Sequence, residues 1–437
     1  MSRKKAALKI EHSRRRFLGA AAAGAAALQS SLFGTARGDE LPVSGIEQPA
    51  LGSFDELMRD FVREQKVTGA ALAVTQQGRL VYARGFGLAD RENGQPVEPA
   101  SLFRIASLSK PVTSAAVWQL IERKKLDPAG KICQVLGLRE TKDRRWQEVT
   151  IEQLLQHTGG WDRDKSFDPM FRSVKIAKAE NVPPPAMPAE IIRYMTGEPL
   201  DFDPGTRYAY SNFGYSLLGR AIEHASGAKY GEYVRREVLA PLVIQNMQLG
   251  ATLLKNRRPH EVRYYDRKDR TGPAVMGEVG EKVPLPYGTW CLEAMDAHGG
   301  WISSAVDLVR FATAFDKPQQ SRILKAASIE QIFARPSGLA GHKPDGEPKQ
   351  VYYGCGWNVR PVGQGHNTWH TGALDGTSTL LVRRHDGLNW AVLFNNRQSE
   401  NGKELAGLID PLVHRAADAV SHWPDGDQFG KYGVSTR

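Results

Sequence analysis

The sequence predicts an α/β fold of the α+β type: an antiparallel sheet flanked by helices, with a mostly helical domain inserted into it. Three observations carry this. Strand-like segments gather towards the two ends of the chain, helical periodicity fills the stretch between them, and Pro and Gly repeatedly interrupt that stretch. At 437 residues the chain can form one large domain with an insertion, or two domains, with a substantial core.

The first segment stands apart by charge. Within residues 1–36, Arg3, Lys4, Lys5, Lys9, Arg14, Arg15 and Arg16 oppose only Glu11, so +6 of the net +10 lies there. The remaining +4 is mixed in sign and forms no continuous basic stripe, which argues against a nucleic-acid partner. Ser13–Gly19 (SRRRFLG) has paired arginines followed by Phe-Leu, and an Ala/Gly-rich apolar run follows from Phe17 to Leu28. Gly34-Thr35-Ala36 supplies small residues for cleavage. The pattern is that of a twin-arginine export signal, placing the protein in the periplasm or outside the cell. The apolar run is too short and too weakly hydrophobic to span a membrane, so membrane contact is expected only through the signal.

Residues 37–52 read as a flexible lead-in. Ser53-Phe-Asp-Glu56 reads as a capping box, and Phe54, Leu57, Met58, Phe61 and Val62 follow at helical spacing. Gly69–Gln77 and Arg79–Gly87 flank Gly78 as a hairpin. A helix is expected over Thr113–Arg123, and Thr150-Ile-Glu-Gln153 caps another. Phe213–Ala225 and Gly231–Leu239 are expected to be helical, with PPPAMP (Pro183–Pro188) as loop. After Ser303 a helix carries Leu308, Phe311 and Ala312. Strands return in YYGCGWNVRP, NTWHTG, TSTLLVRR and LNWAVLFNN, with His385-Asp386-Gly387 as a hairpin turn, and Leu405–Val420 closes as a helix. The expected division is a discontinuous sheet domain over 53–130 and 291–420, a helical domain over 131–290, and a tail over 421–437.

Cys133, Cys291 and Cys355 are widely spaced, which allows at most one disulfide. HExxH and other compact His/Cys spacings are missing from the sequence, so no metal and no cofactor are expected.

The chemistry is concentrated in RIASLSKPVTS, residues 104–114. Residues three apart on a helix share a face, so Ser107 and Lys110 can touch while Ser109 points elsewhere. A serine hydroxyl becomes a useful nucleophile when a neighbour takes its proton, and a lysine whose pKa is lowered by burial can do so. Pro111 is tolerated only in a helix's first turn, so the helix starts near Ser107 and leaves that N–H free for a developing oxyanion. Ser-x-x-Lys also occurs at Ser2–Lys5 and Ser226–Lys229, so a second element has to decide. It comes at Tyr210-x-Asn212: a phenol beside a lysine can shuttle the proton, and an asparagine can tether both.

A third element should be a strand edge that binds substrate through its backbone. His-x-Gly occurs at His157, His298 and His370. The first two lie in loops beside helices, whereas His370-Thr371-Gly372 sits among strands. There Thr371 offers a hydroxyl, Gly372 allows close approach, and the N–H of Ala373 can complete an oxyanion hole.

Ser107-x-x-Lys110, Tyr210-x-Asn212 and His370-Thr371-Gly372, in that order, resemble the three motifs of class C β-lactamases and related penicillin-recognising serine hydrolases. That group includes D-Ala-D-Ala carboxypeptidases and β-lactamase-like esterases. GAALAVTQQGRLVYARGFG, TIEQLLQHTGG, REVLAPL and GGWISSAVDLVRFA add matching context, and the resemblance spans roughly 54–415. It implies a β-lactamase/DD-peptidase-like fold with the active site between the sheet and helical parts, and an acyl-enzyme mechanism. Ser107, Lys110 and Tyr210 would be catalytic, and Asn212, His370, Thr371, Gly372 and Ala373 would bind substrate. One departure stands out: class C β-lactamases usually have lysine where His370 stands, and a histidine is largely neutral at pH 7.

The reading that follows is an exported serine hydrolase acting on a small-molecule ester, amide or peptide. A D-Ala-D-Ala carboxypeptidase or β-lactamase is the alternative, and a catalytically silent wall-fragment-binding module the third reading. A conventional α/β-hydrolase is disfavoured, since no G-x-S-x-G elbow occurs. Oligomeric state carries no signal in the sequence.

Overall fold

Alternation with period two dominates the strands. In β2 (Gly69–Gln76) Ala70, Leu72 and Val74 face one way, while Ala71 and Ala73 face the other. The computed structural model describes residues 41–432; the expected export signal at Ser13–Gly19 and the expected cleavage site at Gly34–Ala36 lie outside the described residues.

The main sheet takes β1 (Val43–Gly45), β2 and β3 (Arg79–Asp90) from one end of the chain. From the other end come β4 (Tyr352–Tyr353), β5 (Asn358–Val362), β6 (Gly365–Leu374), β7 (Thr377–Arg383) and β8 (Leu388–Phe394). Their spatial order is β1-β3-β2-β8-β7-β6-β5-β4, with Gln95–Pro96 paired to β3 beside this path. Every pairing is antiparallel, and β2 meets β8 in a register that sets Val74 against Trp390. Gly78 and His385-Asp386-Gly387 make the predicted turns, with Gly78 at φ +81° and Gly387 at φ +85°.

Two cores flank the sheet. On one face α1 (Gly52–Glu64) and the closing α6 (Leu405–Asp418) pack Phe54, Met58, Phe61, Ile409 and Val413 against Leu72, Val74, Trp390 and Val392. On the other lie α2 (Ser109–Glu122), α4 (Asn212–Ser226), α5 (Ala305–Thr313) and the rest of the helical stretch, continuous with Ala71, Ala73, Ala391 and Leu393. Each large apolar side chain buried there contributes about 1.5–3 kcal/mol. The short α3 (Ile151–Leu155) begins at the expected Thr150 capping box. The described residues pack as one compact unit. Among the described residues no helix is long and apolar enough to cross a membrane.

Several local expectations are corrected. Ser53 does not cap a helix: α1 starts one residue earlier, and the Ser53 hydroxyl instead donates to the carbonyl of Ala416 on α6. Residues 43–45, expected to be flexible, form β1, because β3 offers them an unpaired edge. The tail is docked. Gln428 donates to the carbonyl of Val81, and Phe429 is buried under the Arg310 guanidinium. The predicted helix Gly231–Leu239 becomes one α-turn over Tyr230–Tyr233 and a π-helical turn over Val234–Leu239. All three cysteines are buried free thiols.

Candidate active site

The segment before Ser107 is held on two sides. Phe103–Arg104 pairs with Trp301–Ser303 in a small separate sheet. The buried Arg104 guanidinium donates to the carbonyls of Pro286, Ala251 and Thr252 and faces Glu261. Thr377 and Thr379, two residues apart on β7, donate to the carbonyls of Arg104 and Ile105. The chain then turns sharply. Ala106 adopts a left-handed φ of +47°, which costs roughly 1–2 kcal/mol for a residue with a Cβ. Ser109 helps to hold it by donating to the Ala106 carbonyl at 2.7 Å, so this serine serves the turn and not the chemistry. A 3₁₀ turn over Ala106–Leu108 leads into α2, with Pro111 in its first turn.

Ser107 and Lys110 meet as their spacing requires. The Lys110 Nζ lies 3.0 Å from the Ser107 Oγ, 2.8 Å from the Asn212 Oδ1 and 3.0 Å from the carbonyl of His298. Lys110 is fully buried, and burial holds its pKa well below the ordinary value; the Asp168 carboxylate opposes that shift and the Arg163 cation adds to it. The donor count follows. A neutral amine has two N–H groups, and the Asn212 and His298 oxygens, which only accept, take both. The amine lone pair is then left facing the Ser107 hydroxyl proton, the arrangement a general base needs.

Tyr210 completes the group from the start of α4, its hydroxyl donating to the Ser107 Oγ at 2.9 Å. Burial is the largest influence on this phenol and pushes its pKa up, so it stays protonated at neutral pH. The Lys110 Nζ is 4.7 Å from the Tyr210 ring centroid. Asn212 sits between two partners: its Oδ1 accepts from Lys110, and its Nδ2 donates to the Asp168 Oδ2 at 2.6 Å. Asp168 therefore sets which end of the amide faces the lysine.

The third motif lies on β6. Its first part, residues 365–369, pairs with β5, and residues 368–374 pair with β7; from His370 to Leu374 only β7 remains, and the free edge adjoins the turn carrying Ser107. Gly372 is needed there. A Cβ on it would come within 2.3 Å of both the Ile105 carbonyl and the Thr379 Oγ1, and 3.1 Å from the Ser107 nitrogen. Gly372→Ala is thus expected to push β6 off the Ser107 turn. Overpacking of this kind costs about 1–3 kcal/mol, read as a lower Tm together with lost turnover.

His370 is buried with both ring nitrogens engaged, Nε2 to the Tyr353 hydroxyl at 2.9 Å and Nδ1 to the Thr371 carbonyl at 2.7 Å. Since the carbonyl can only accept, Nδ1 carries the proton and Nε2 accepts from Tyr353. Desolvation, then the nearby Lys110, lower its pKa to about 3. His370 is neutral throughout the physiological range and offers a substrate no charge.

In front of Ser107 opens a cleft of about 410 Å³, with Phe171, Trp290, Met295 and Leu374 as apolar wall and Arg163, Asp168, Asp375 and Arg397 as ionic rim. Of the predicted residues, Ser107, Asn212 and Ala373 line it directly. Lys110 and Tyr210 reach Ser107 from behind, and Thr371 lies exposed outside the lining. A larger hollow of about 840 Å³ is bounded by the adjoining Gln77–Gly78 and His385–Gly387 turns, by residues 313–322 and by Phe333, and holds none of the predicted residues. Sequence reasoning passed over Asp168, Arg163 and Tyr353. It also set aside His157 and His298 as loop residues. His157 is in a turn, but His298 lies in the short helix Asp296–Gly299; His298 gives its carbonyl to Lys110 and His157 packs on Tyr210. Their shared His-x-Gly pattern was the available signal.

Compared with known proteins, residues 54–413 match the family model described as Beta-lactamase. The chain is 37% identical over 265 residues to the probable fimbrial assembly protein FimD, serogroup H1, of Dichelobacter nodosus, covering 60% of this chain and 61% of that protein. It therefore spans about three fifths of that relative's length. It is 28% identical over 355 residues to penicillin-binding protein 4* of Bacillus subtilis (strain 168), covering 79% of this chain and 71% of that one. Among solved structures, the D-amino acid amidase from Ochrobactrum anthropi SV3 complexed with D-phenylalanine superposes with a TM-score of 0.65. At 20% identity, over 85% of this chain and 99% of that one, it shows a shared fold.

Proposed function

Since the chain belongs to the beta-lactamase family of serine hydrolases, we propose that it cleaves an ester or amide bond through an acyl-enzyme on Ser107, after export by the twin-arginine route to the periplasm or beyond. The observation that carries the mechanism is the Lys110 contact set, two pure acceptors and one serine hydroxyl, around a buried amine. Lys110 takes the Ser107 proton as Oγ attacks the carbonyl carbon. The N–H groups of Ser107 and Ala373 receive the oxyanion, as a helix start and a strand edge can. Tyr210 delivers a proton to the leaving group and takes one from the water that attacks the acyl carbon, and Lys110 returns its proton to the Ser107 Oγ as the acyl group departs. Asn212 tethers the lysine; Thr371 and the free edge of β6 align the substrate, with Gly372 admitting it and His370 buttressing the strand from beneath.

The substrate is a small molecule or short peptide fitting the 410 Å³ cleft, and the chemistry calls for no cofactor. The neutral His370 lacks the fixed cation that would favour efficient β-lactam turnover. A second reading, D-Ala-D-Ala carboxypeptidase or β-lactamase, draws on the likeness to penicillin-binding protein 4*.

The test is intact-mass spectrometry after brief exposure to p-nitrophenyl esters, D-amino-acid peptides and a fluorescent penicillin. Ester turnover with a transient acyl adduct mapping to Ser107 is expected. A long-lived penicillin adduct with D-alanine release from peptides favours the second reading. A folded protein that forms no adduct with any of them refutes both and leaves a binding module.

A further inference from the structure

The proposed mechanism leaves two buried imidazoles at the site without a task, those of His298, whose carbonyl alone is used, and of His157. His157 is 1% exposed, lies directly after α3 and holds a left-handed φ of +58°, an uncommon state for a residue with a Cβ. Its carbonyl accepts the N–H of Ala209 at 2.9 Å, and its Nδ1 accepts the N–H of Ser211 at 3.2 Å. The following residue adds a third tie, since the Thr158 carbonyl accepts from the Gly205 N–H at 2.8 Å. Tyr210 is thus bracketed: the amides on either side of it bond to the same residue. The imidazole face also lies against the phenol, with ring centroids 4.3 Å apart and planes at 42°.

Accepting from Ser211 fixes the tautomer, because Nδ1 must carry the lone pair and Nε2 the hydrogen. Nε2 has no hydrogen-bond partner among the described residues, and the rings of Tyr353 and Tyr215 crowd the imidazole at 4.5 and 5.1 Å. A buried unpaired N–H and a left-handed backbone are both unfavourable. Packing alone would be served better by an apolar residue. What an apolar residue lacks is an acceptor aimed back at the Tyr210 backbone.

We infer that His157 is a positioning residue for Tyr210, clasping the 209–211 backbone and backing the phenol so that its hydroxyl stays on the Ser107 Oγ. This rests on the proposed roles of Ser107 and Tyr210, which the ester turnover of the wild type and its loss in Ser107→Ala test separately. Proton delivery by Tyr210 depends on sub-ångström placement, and misplacement of about 1 Å can cost 10²-fold.

The experiment measures p-nitrophenyl ester kinetics per active site, counted with a serine-reactive fluorophosphonate taken to completion, for the full chain and three variants. His157→Leu fills the space without an acceptor. His157→Gly adopts φ +58° freely and serves if the leucine variant does not fold. His157→Asn puts an amide oxygen where Nδ1 stood and tolerates the backbone. Leu and Gly are expected to lower kcat per site by roughly 10- to 100-fold with KM changed by less than about threefold, and Asn to stay within about threefold of wild type in kcat. Unchanged kcat per site in the Leu and Gly variants would overturn the inference and make His157 a packing residue, and so would failure of Asn to restore it. A wild type without ester turnover, or a Ser107→Ala variant that keeps it, removes the reading beneath and this inference with it.

Discussion

Ser107→Ala is expected to abolish ester hydrolysis, with kcat falling by about 10⁴-fold or more and KM little changed, the scale seen when a positioned nucleophile is removed. Without Oγ the acyl-enzyme has no atom to form on, and what remains is the polarising effect of the oxyanion amides on a water-driven reaction. The fold should survive. Ser107 makes its polar contacts with Lys110 and Tyr210, while the turn itself is held by Ser109, Thr377 and Thr379. An unchanged Tm beside vanished turnover and a vanished Ser107 adduct is therefore the expected pair of results. A variant that still turns over substrate at the wild-type rate would place the nucleophile elsewhere.

The second large effect belongs to Lys110. Lys110→Ala is expected to lower kcat/KM by about 10²- to 10⁴-fold, the usual contribution of a positioned general base. Lys110→Arg should do no better, because a guanidinium cannot give up its proton at any working pH. The pH dependence follows from the direction of the lysine shift. Burial lowers its pKa, so the neutral, base-competent form exists above the lowered value and is lost as pH falls through it. The wild type should therefore lose kcat/KM on the acid side along one limb whose midpoint lies well below the ordinary lysine range. His370 contributes no limb between pH 5 and 8, since it titrates only near 3. A profile with no such acid limb, in which activity is instead lost as Lys110 deprotonates, would mean that Lys110 works as a cation, and the base would have to be sought elsewhere.

How much of this was legible in the sequence depends on the kind of constraint. Ser107–Lys110 is a spacing of three at a helix start, which helix geometry turns into a contact; Tyr210 and Asn212 are close in sequence and each reaches the same pair by its own bond, to Ser107 and to Lys110. The sheet was legible from short apolar runs bounded by the turns at Gly78 and at His385–Gly387, since β2, β7 and β8 are buried on both faces. Asp168 and Tyr353 were not, because they reach the site from loops and a two-residue strand, where no periodicity marks which side chain turns inward. His157 shows the limit most clearly. Its loop position was read correctly, but a loop was taken to mean distance from the chemistry, and only tertiary pairing carries residue 157 to residues 209 and 211. At the start of the described chain, expected flexibility gave way because β3 left an edge open to residues 43–45, and the tail, for which the sequence carried no signal, docks through Gln428 on the Val81 carbonyl.

The pairing of β2 with β8 has a consequence for the newborn polypeptide. Val74 finds Trp390 only after more than three hundred further residues have been made, so during translation the first hairpin waits with an uncovered margin that invites association with other chains. Closure across so long a separation is slow, and a ribosome stalled before the last strands would release a product unable to mature.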